Sequence, residues 1–159
     1  MTENKQETVK EYDNMIKAEE TKVIVGAEME WGLMPNHWHL YHREIVNASQ
    51  ADELGVRISS VLWEKIGVGG AVLPHYHDVA EIIHITAGQV KLLRDGSWTL
   101  YKAGDTFHVP AGVVHSVACV GDSPSEQISI FLPVESDAPK NAYFNTHLVE
   151  DTYTDKLRL

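Results

Sequence analysis

From residue 23 onward the apolar positions come in short runs with polar residues between them. That is the spacing of half-buried strands, where neighbouring side chains point to opposite faces. Residues 23–25 (Val-Ile-Val) and 38–46 read as strands. Over 58–66, Ser60, Leu62, Glu64 and Ile66 share one side, while Ser59, Val61, Trp63 and Lys65 share the other. The clearest turn is Arg94-Asp95-Gly96-Ser97, between apolar-containing runs at 89–93 and 98–101. Asp-Gly suits a tight hairpin, because both central positions of that turn take positive φ. Further strands are expected at 106–109, 115–120 and 127–132. Short strands with Gly and Pro punctuation indicate an all-β sandwich or barrel. Before residue 23 the chain is mostly charged and polar, with Val9, Tyr12 and Ile16 near helical spacing. Residues 1–22 are therefore expected to form either a loose arm or a short helix. Pro133 and Pro139 close the last strand, and a polar tail follows.

Composition narrows the function more than the fold. The 159 residues suit one domain, and no repeat or linker divides them. The formal charge of -10 argues against a nucleic-acid surface or an anionic membrane as partner. No run is long and apolar enough to cross a bilayer. The polar N-terminus carries no export signal, so the expected location is cytoplasmic. Without export, Asn47-Ala48-Ser49 is a chance match to a glycosylation sequon. The single cysteine, Cys119, can form neither an internal disulfide nor a CxxC site. A small apolar filler is the expected role for it.

The nine histidines carry the chemistry. One segment reads Gly69, five residues, His75, one residue, His77, three residues, Glu81, six residues, Gly88. His75 and His77 share a strand face. After a brief turn at 78–80, Glu81 would open the next strand on the same side, with Ile83 and Ile85 continuing it inward and Ile82 and His84 outward. A second segment reads Gly104, five residues, Pro110, Ala111, Gly112, two residues, His115. If a barrel brings these strands together, three imidazoles and one carboxylate converge. Such a set binds a divalent transition metal and leaves positions for water or substrate.

The two segments resemble the two motifs of the cupin superfamily. The first motif is matched at Gly69, His75, His77, Glu81 and Gly88, and the second at Gly104, Pro110, Gly112 and His115. The departure is Cys119, where the family usually has Asn. The resemblance spans about residues 55–135. It implies a cupin-type double-stranded β-helix, or jelly-roll barrel, over 23–135. Residues 1–22 would be an N-terminal arm or short helix, and 136–159 a tail packed on the barrel or extending from it. It makes His75, His77, Glu81 and His115 the ligands of one ion: Fe, Mn, Ni, Zn or Cu.

Other residues are weighed against that site. Glu64, if its strand face is inward, is the candidate proton-handling group. If it is outward, Trp63 forms an aromatic wall instead. Tyr76 must point away from its neighbouring ligands. His37, His39 and His42 are read as a polar strand edge or subunit contact rather than a second metal site. His84 and His147 are placed on the surface. Alternation leaves the direction of His108 open. The inward face near the metal is expected to be mostly apolar, with Ile83, Ile85, Val117 and Val109, so few titratable groups are in view. A dry pocket of that kind favours a dioxygenase acting on a small chelating substrate. The alternatives are a lyase or isomerase at the same site, or a small-molecule-binding cupin without activity. The open edges of such a barrel imply a homodimer.

Overall fold

The computed structural model describes residues 20–135 and 137–149; the expected arm at 1–22 lies almost wholly outside them. Ten strands form one curled sheet in which every pairing is antiparallel. They are β1 (Gly32–Leu33), β2 (Trp38–Asn47), β3 (Ser60–His77), β4 (Ala80–Ala87) and β5 (Gln89–Arg94). Then come β6 (Ser97–Lys102), β7 (Thr106–Val109), β8 (His115–Val120), β9 (Ser125–Leu132) and β10 (Thr146–Leu148). The fold is thus the all-β, cupin-type architecture expected. Residues 23–25 form no strand; their side chains are exposed, and with nothing to bury, an apolar run alone does not recruit a sheet edge.

The 18-residue strand β3 organises the rest. Its first half pairs with β9 over Ser60–Ile66, and with β2 on the other edge. Its second half pairs with β8 from Ala71 to His75 and with β10 from His75 to His77. The sheet order β6-β5-β8-β3-β9-β4-β7 follows, so β3 is the spine on which two flanking halves fold over a common interior. Alternation in β4 buries Glu81, Ile83 and Ile85 and turns Ile82 and His84 outward. Ile83 and Ile85 join Leu40, Ile66, Val72, Val90, Leu92, Phe107, Val109 and Val117 in the main apolar cluster. Each such side chain withdrawn from water is worth ~1.5–3 kcal/mol.

Two turns show why glycine is required. In the β5–β6 hairpin Asp95 has φ 50° and Gly96 has φ 78°, so the Asp-Gly turn takes the mirror-image form that matches strand twist. Gly88, between β4 and β5, has φ 80°, and a Cβ there would lie 2.8 Å from the Pro124 carbonyl oxygen. One α-helix among the described residues, α1 (Ala48–Leu54), links β2 to β3. Its N-cap is Asn47, whose side chain accepts from the Gln50 N–H while the Gln50 side chain accepts from the Asn47 N–H. The stretch read as a chance sequon is a capping box. The tail is not merely polar: Phe144 is buried with Leu62, Val79 and Phe131, and β10 extends the sheet beside the ligand strand.

Candidate metal centre

His75 and His77 leave β3 on the same buried face, Glu81 opens β4, and His115 opens β8 opposite His75. The Gly112 N–H donates to the His77 carbonyl at 2.8 Å, so the 110–112 corner is tied directly to the ligand strand. One candidate ligand atom from each of the four residues lies within 4.8 Å of the other three, and all four side chains are buried. Among the described residues this is the one such group of His, Cys, Asp or Glu.

The ring tautomers explain why the cluster suits a cation. His75 Nδ1–H donates to the Leu73 carbonyl at 2.6 Å, and His115 Nδ1–H donates to the Val113 carbonyl at 2.9 Å. A carbonyl oxygen only accepts, so the Nδ1 proton is fixed and Nε2 of the neutral ring carries a lone pair. His77 Nδ1 meets Thr146 Oγ1 at 2.9 Å. As a metal ligand through Nε2, His77 would donate Nδ1–H to that hydroxyl. His75 Nε2 and His77 Nε2 stand 3.0 Å apart, and Glu81 Oε2 lies 2.8 Å from His115 Nε2 and 3.2 Å from His77 Nε2. Nitrogen lone pairs and a carboxylate oxygen so crowded repel one another unless positive charge sits among them. The donor set therefore fits a divalent transition ion, and the oxygen partners behind each ring are the outer contacts that hold ligating imidazoles in place.

Without an ion the balancing charge is a proton: His115 Nε2–H donates to Glu81 Oε2 and that ring is an imidazolium, whereas a bound divalent ion would take the proton's place. Burial, reinforced by His115, lowers the His75 pKa to about 3, so that ring is neutral. Burial opposes the Glu81 charge, but hydrogen bonds from His115 and His77 outweigh it and hold the carboxyl well below the usual range. Burial likewise opposes a His115 cation, and the bond to Glu81 outweighs it and raises its pKa.

Beside the cluster lies a cavity of about 200 Å³. Its apolar wall includes Ile83 and Val117, as anticipated, with Leu40, Leu62, Val72 and Phe131. The expectation of few titratable groups does not hold, because polar residues of β3 and β9 also point inward. Glu64 is 5% exposed and lines the cavity. Its Oε2 accepts from Ser129 Oγ at 2.7 Å and from Gln127 Nε2 at 2.8 Å, while Oε1 has no protein partner among the described residues. Burial, then the nearby Glu81 charge, raises the Glu64 pKa to about 7. Since Glu64 is inward, Trp63 is outward, edge-on to Trp31 at 5.1 Å.

His37 is not the strand-edge or subunit contact expected. It precedes β2 in a bend after Asn36, whose φ of 63° turns the chain inward, and its ring lines the cavity beside His75. Burial, then His77, lowers its pKa to about 4. His39 is exposed and His42 half-buried elsewhere, so the three do not assemble. His108 is exposed opposite Ile82, His84 is exposed against Thr106, and Tyr76 stacks outward on His147. Cys119 packs partly buried at the edge of the core and donates to the Ser123 carbonyl.

Sequence reasoning missed Thr146, Gln127, Ser129 and the cavity position of His37. For the β9 pair a signal existed: Ser125, Gln127, Ser129 and Phe131 alternate on the buried face of one strand.

Residues 62–131 match the family model described as the cupin domain. No curated protein matches the chain. Among solved structures, one described as a predicted oxalate decarboxylase from Thermotoga maritima has a TM-score of 0.64 and 18% identity, covering 71% of this chain and 100% of its own. The polyketide cyclase RemF from Streptomyces resistomycificus has a TM-score of 0.62 and 17% identity, with coverage of 86% and 93%. A cupin-like protein from Thermotoga maritima has a TM-score of 0.62 and 18% identity, with coverage of 87% and 96%. Identities this low establish the shared fold.

Proposed function

From the premise that this chain carries a cupin domain, we propose that it is a metal-dependent enzyme that moves a proton of a small, oxygen-bearing substrate, as lyases and isomerases do. His75, His77, Glu81 and His115 would hold one divalent transition ion, and Glu64 would handle the proton. The carrying observation is that a second buried carboxyl, Glu64, lines the cavity of the four-donor cluster, its Oε2 held by Ser129 and Gln127 and its Oε1 without a protein partner among the described residues. Imidazoles hold Glu81 ionised, while burial holds Glu64 close to neutrality in its pKa. Carboxyls divided in this way mark a charge-bearing role and an acid–base role.

The ion would supply Lewis acidity to a substrate oxygen, making a neighbouring C–H or O–H more acidic. Glu64 Oε1 then takes or gives that proton, while Ser129 and Gln127 hold Oε2 and keep the carboxyl aimed.

A second reading, dioxygenase-type oxidation, is supported by the same apolar lining and by an ion site that iron also fits. Solution NMR separates the two. Metal-loaded protein is incubated in deuterium oxide under nitrogen with small keto acids, diols and hydroxy acids. The proposed function expects deuterium uptake or product without oxygen, abolished in Glu64→Gln. Turnover that requires and consumes oxygen favours oxidation instead. Ligands that stabilise the protein without any turnover indicate a small-molecule-binding role. We also propose a homodimer, because the sheet order ends at β6 and β7, whose outer edges carry no partner strand among the described residues. Sedimentation at micromolar concentration tests it, and a monomer refutes it.

A further inference from the structure

We propose that His37 is an anion anchor: its Nε2–H donates to a carboxylate or enolate oxygen of the substrate, next to the metal ligands. This rests on the metal reading above and adds the charge class of the molecule bound there.

The argument begins with a break in the ladder between β3 and β8. Val72 pairs with Val117 and His75 with His115, so two residues on β3 face one on β8. The bulge takes Leu73 out of regular pairing. Ser116 Oγ satisfies the Val72 carbonyl at 2.5 Å. Leu73 is left to serve two side chains at once. Its N–H donates to His37 Nδ1 at 2.9 Å, and its carbonyl accepts from His75 Nδ1–H at 2.6 Å.

These bonds set the two rings in opposite tautomers. A backbone N–H cannot accept, so His37 Nδ1 carries the lone pair and Nε2 carries the hydrogen. A ring that accepts at Nδ1 is also neutral. His75 is the reverse, with its lone pair at Nε2. The rings stand edge to face, 5.8 Å between centroids. One residue of backbone thus presents a lone pair suited to a cation and, beside it, an N–H suited to an anion. His37 Nε2 meets no protein acceptor among the described residues, and the ring lines the cavity that also holds Glu64. A molecule bound through one oxygen to the ion can rest a second, negatively charged oxygen on that N–H. A neutral diol gains less from it, because hydrogen bonds to charged acceptors are the stronger ones.

The test uses zinc-loaded full-length protein, with oxalate as the probe. Calorimetry first gives the zinc affinity of the wild type and of His37→Phe, which keeps a ring against His75 but has no N–H. Oxalate is then titrated into both. The expected result is an oxalate affinity at least tenfold weaker in His37→Phe, with zinc affinity unchanged within about threefold. Nitrogen-15 NMR of the wild type should show His37 protonated at Nε2 and bare at Nδ1. Equal oxalate affinity in the two proteins, no oxalate binding to the wild type, or an Nδ1–H ring at position 37 overturns the proposal. Failure of the wild type to bind zinc instead overturns the metal reading, and the ring tautomer is measured separately from it.

Discussion

At the scale of single residues, the site is a contest between burial and hydrogen bonding. Glu81 receives bonds from two imidazoles and stays charged, whereas Glu64 receives them from two neutral groups and is pulled towards neutrality. The sign for stability follows. A carboxyl whose folded pKa, about 7, exceeds its ordinary 4.5 favours the fold below pH 4.5 and loses that contribution as the pH rises through 7. In metal-free protein, Glu64→Gln should therefore match the wild type near pH 4.5 and exceed it by about 3 kcal/mol near pH 8.5, read by urea unfolding. A constant difference across that range would contradict the argument. Thr146→Val removes the oxygen behind His77, and metal affinity measured by competition with a chelator should fall about 10-fold or more. The four ligand candidates were legible because their spacing puts them on inward strand positions next to turns. Thr146 was not, since no local spacing links residue 146 to residue 77. His37 was misread because its direction comes from a bend at Asn36 and a bulge at Leu73, and alternation describes neither.

At the scale of elements, strands with clear punctuation were legible almost to the residue. Residues 106–109 and 115–120 begin and end as β7 and β8 do. β9 shows why polarity alone misleads. It buries Ser125, Gln127 and Ser129 and leaves Ile128 and Ile130 half-exposed, because its inner face borders a polar cavity rather than the apolar cluster. α1 went unseen because seven residues carry too little periodicity; only its Asn47–Gln50 cap marks it. Asn47→Ala should cost about 1 kcal/mol in thermal or urea unfolding. Gly88→Ala should cost more, about 2–3 kcal/mol, since it adds a positive-φ penalty to a Cβ pressed on the Pro124 carbonyl and Ser125. A Gly88→Ala protein as stable as the wild type would mean that the β4–β5 turn relaxes freely.

At the scale of the whole molecule, the ligands come from three strands, so an ion bound by all four would tie those strands together in the folded state alone. Zinc at about 100 times its dissociation constant should add about 3 kcal/mol, or roughly 5–10 °C in Tm, by scanning calorimetry. Excess chelator should reverse the shift, and Glu81→Gln should diminish it. The shift should also shrink as the pH falls, because protons compete for the three imidazoles. Glu64 and the ligands His75 and His77 all sit on β3, but residues 67–70 between them bulge out of the pairing with β2 and β9, and Gly69 there has φ 73°. Amide protons from Leu62 to Ile66, paired on both edges, should then exchange with deuterium more slowly than those of residues 67–70. The segment 143–148 closes another side of the cavity, which Tyr143, Phe144, Thr146 and Leu148 line. It is fastened by Asn145 to Asp78 and by the short rungs of β10, and its amides should exchange first.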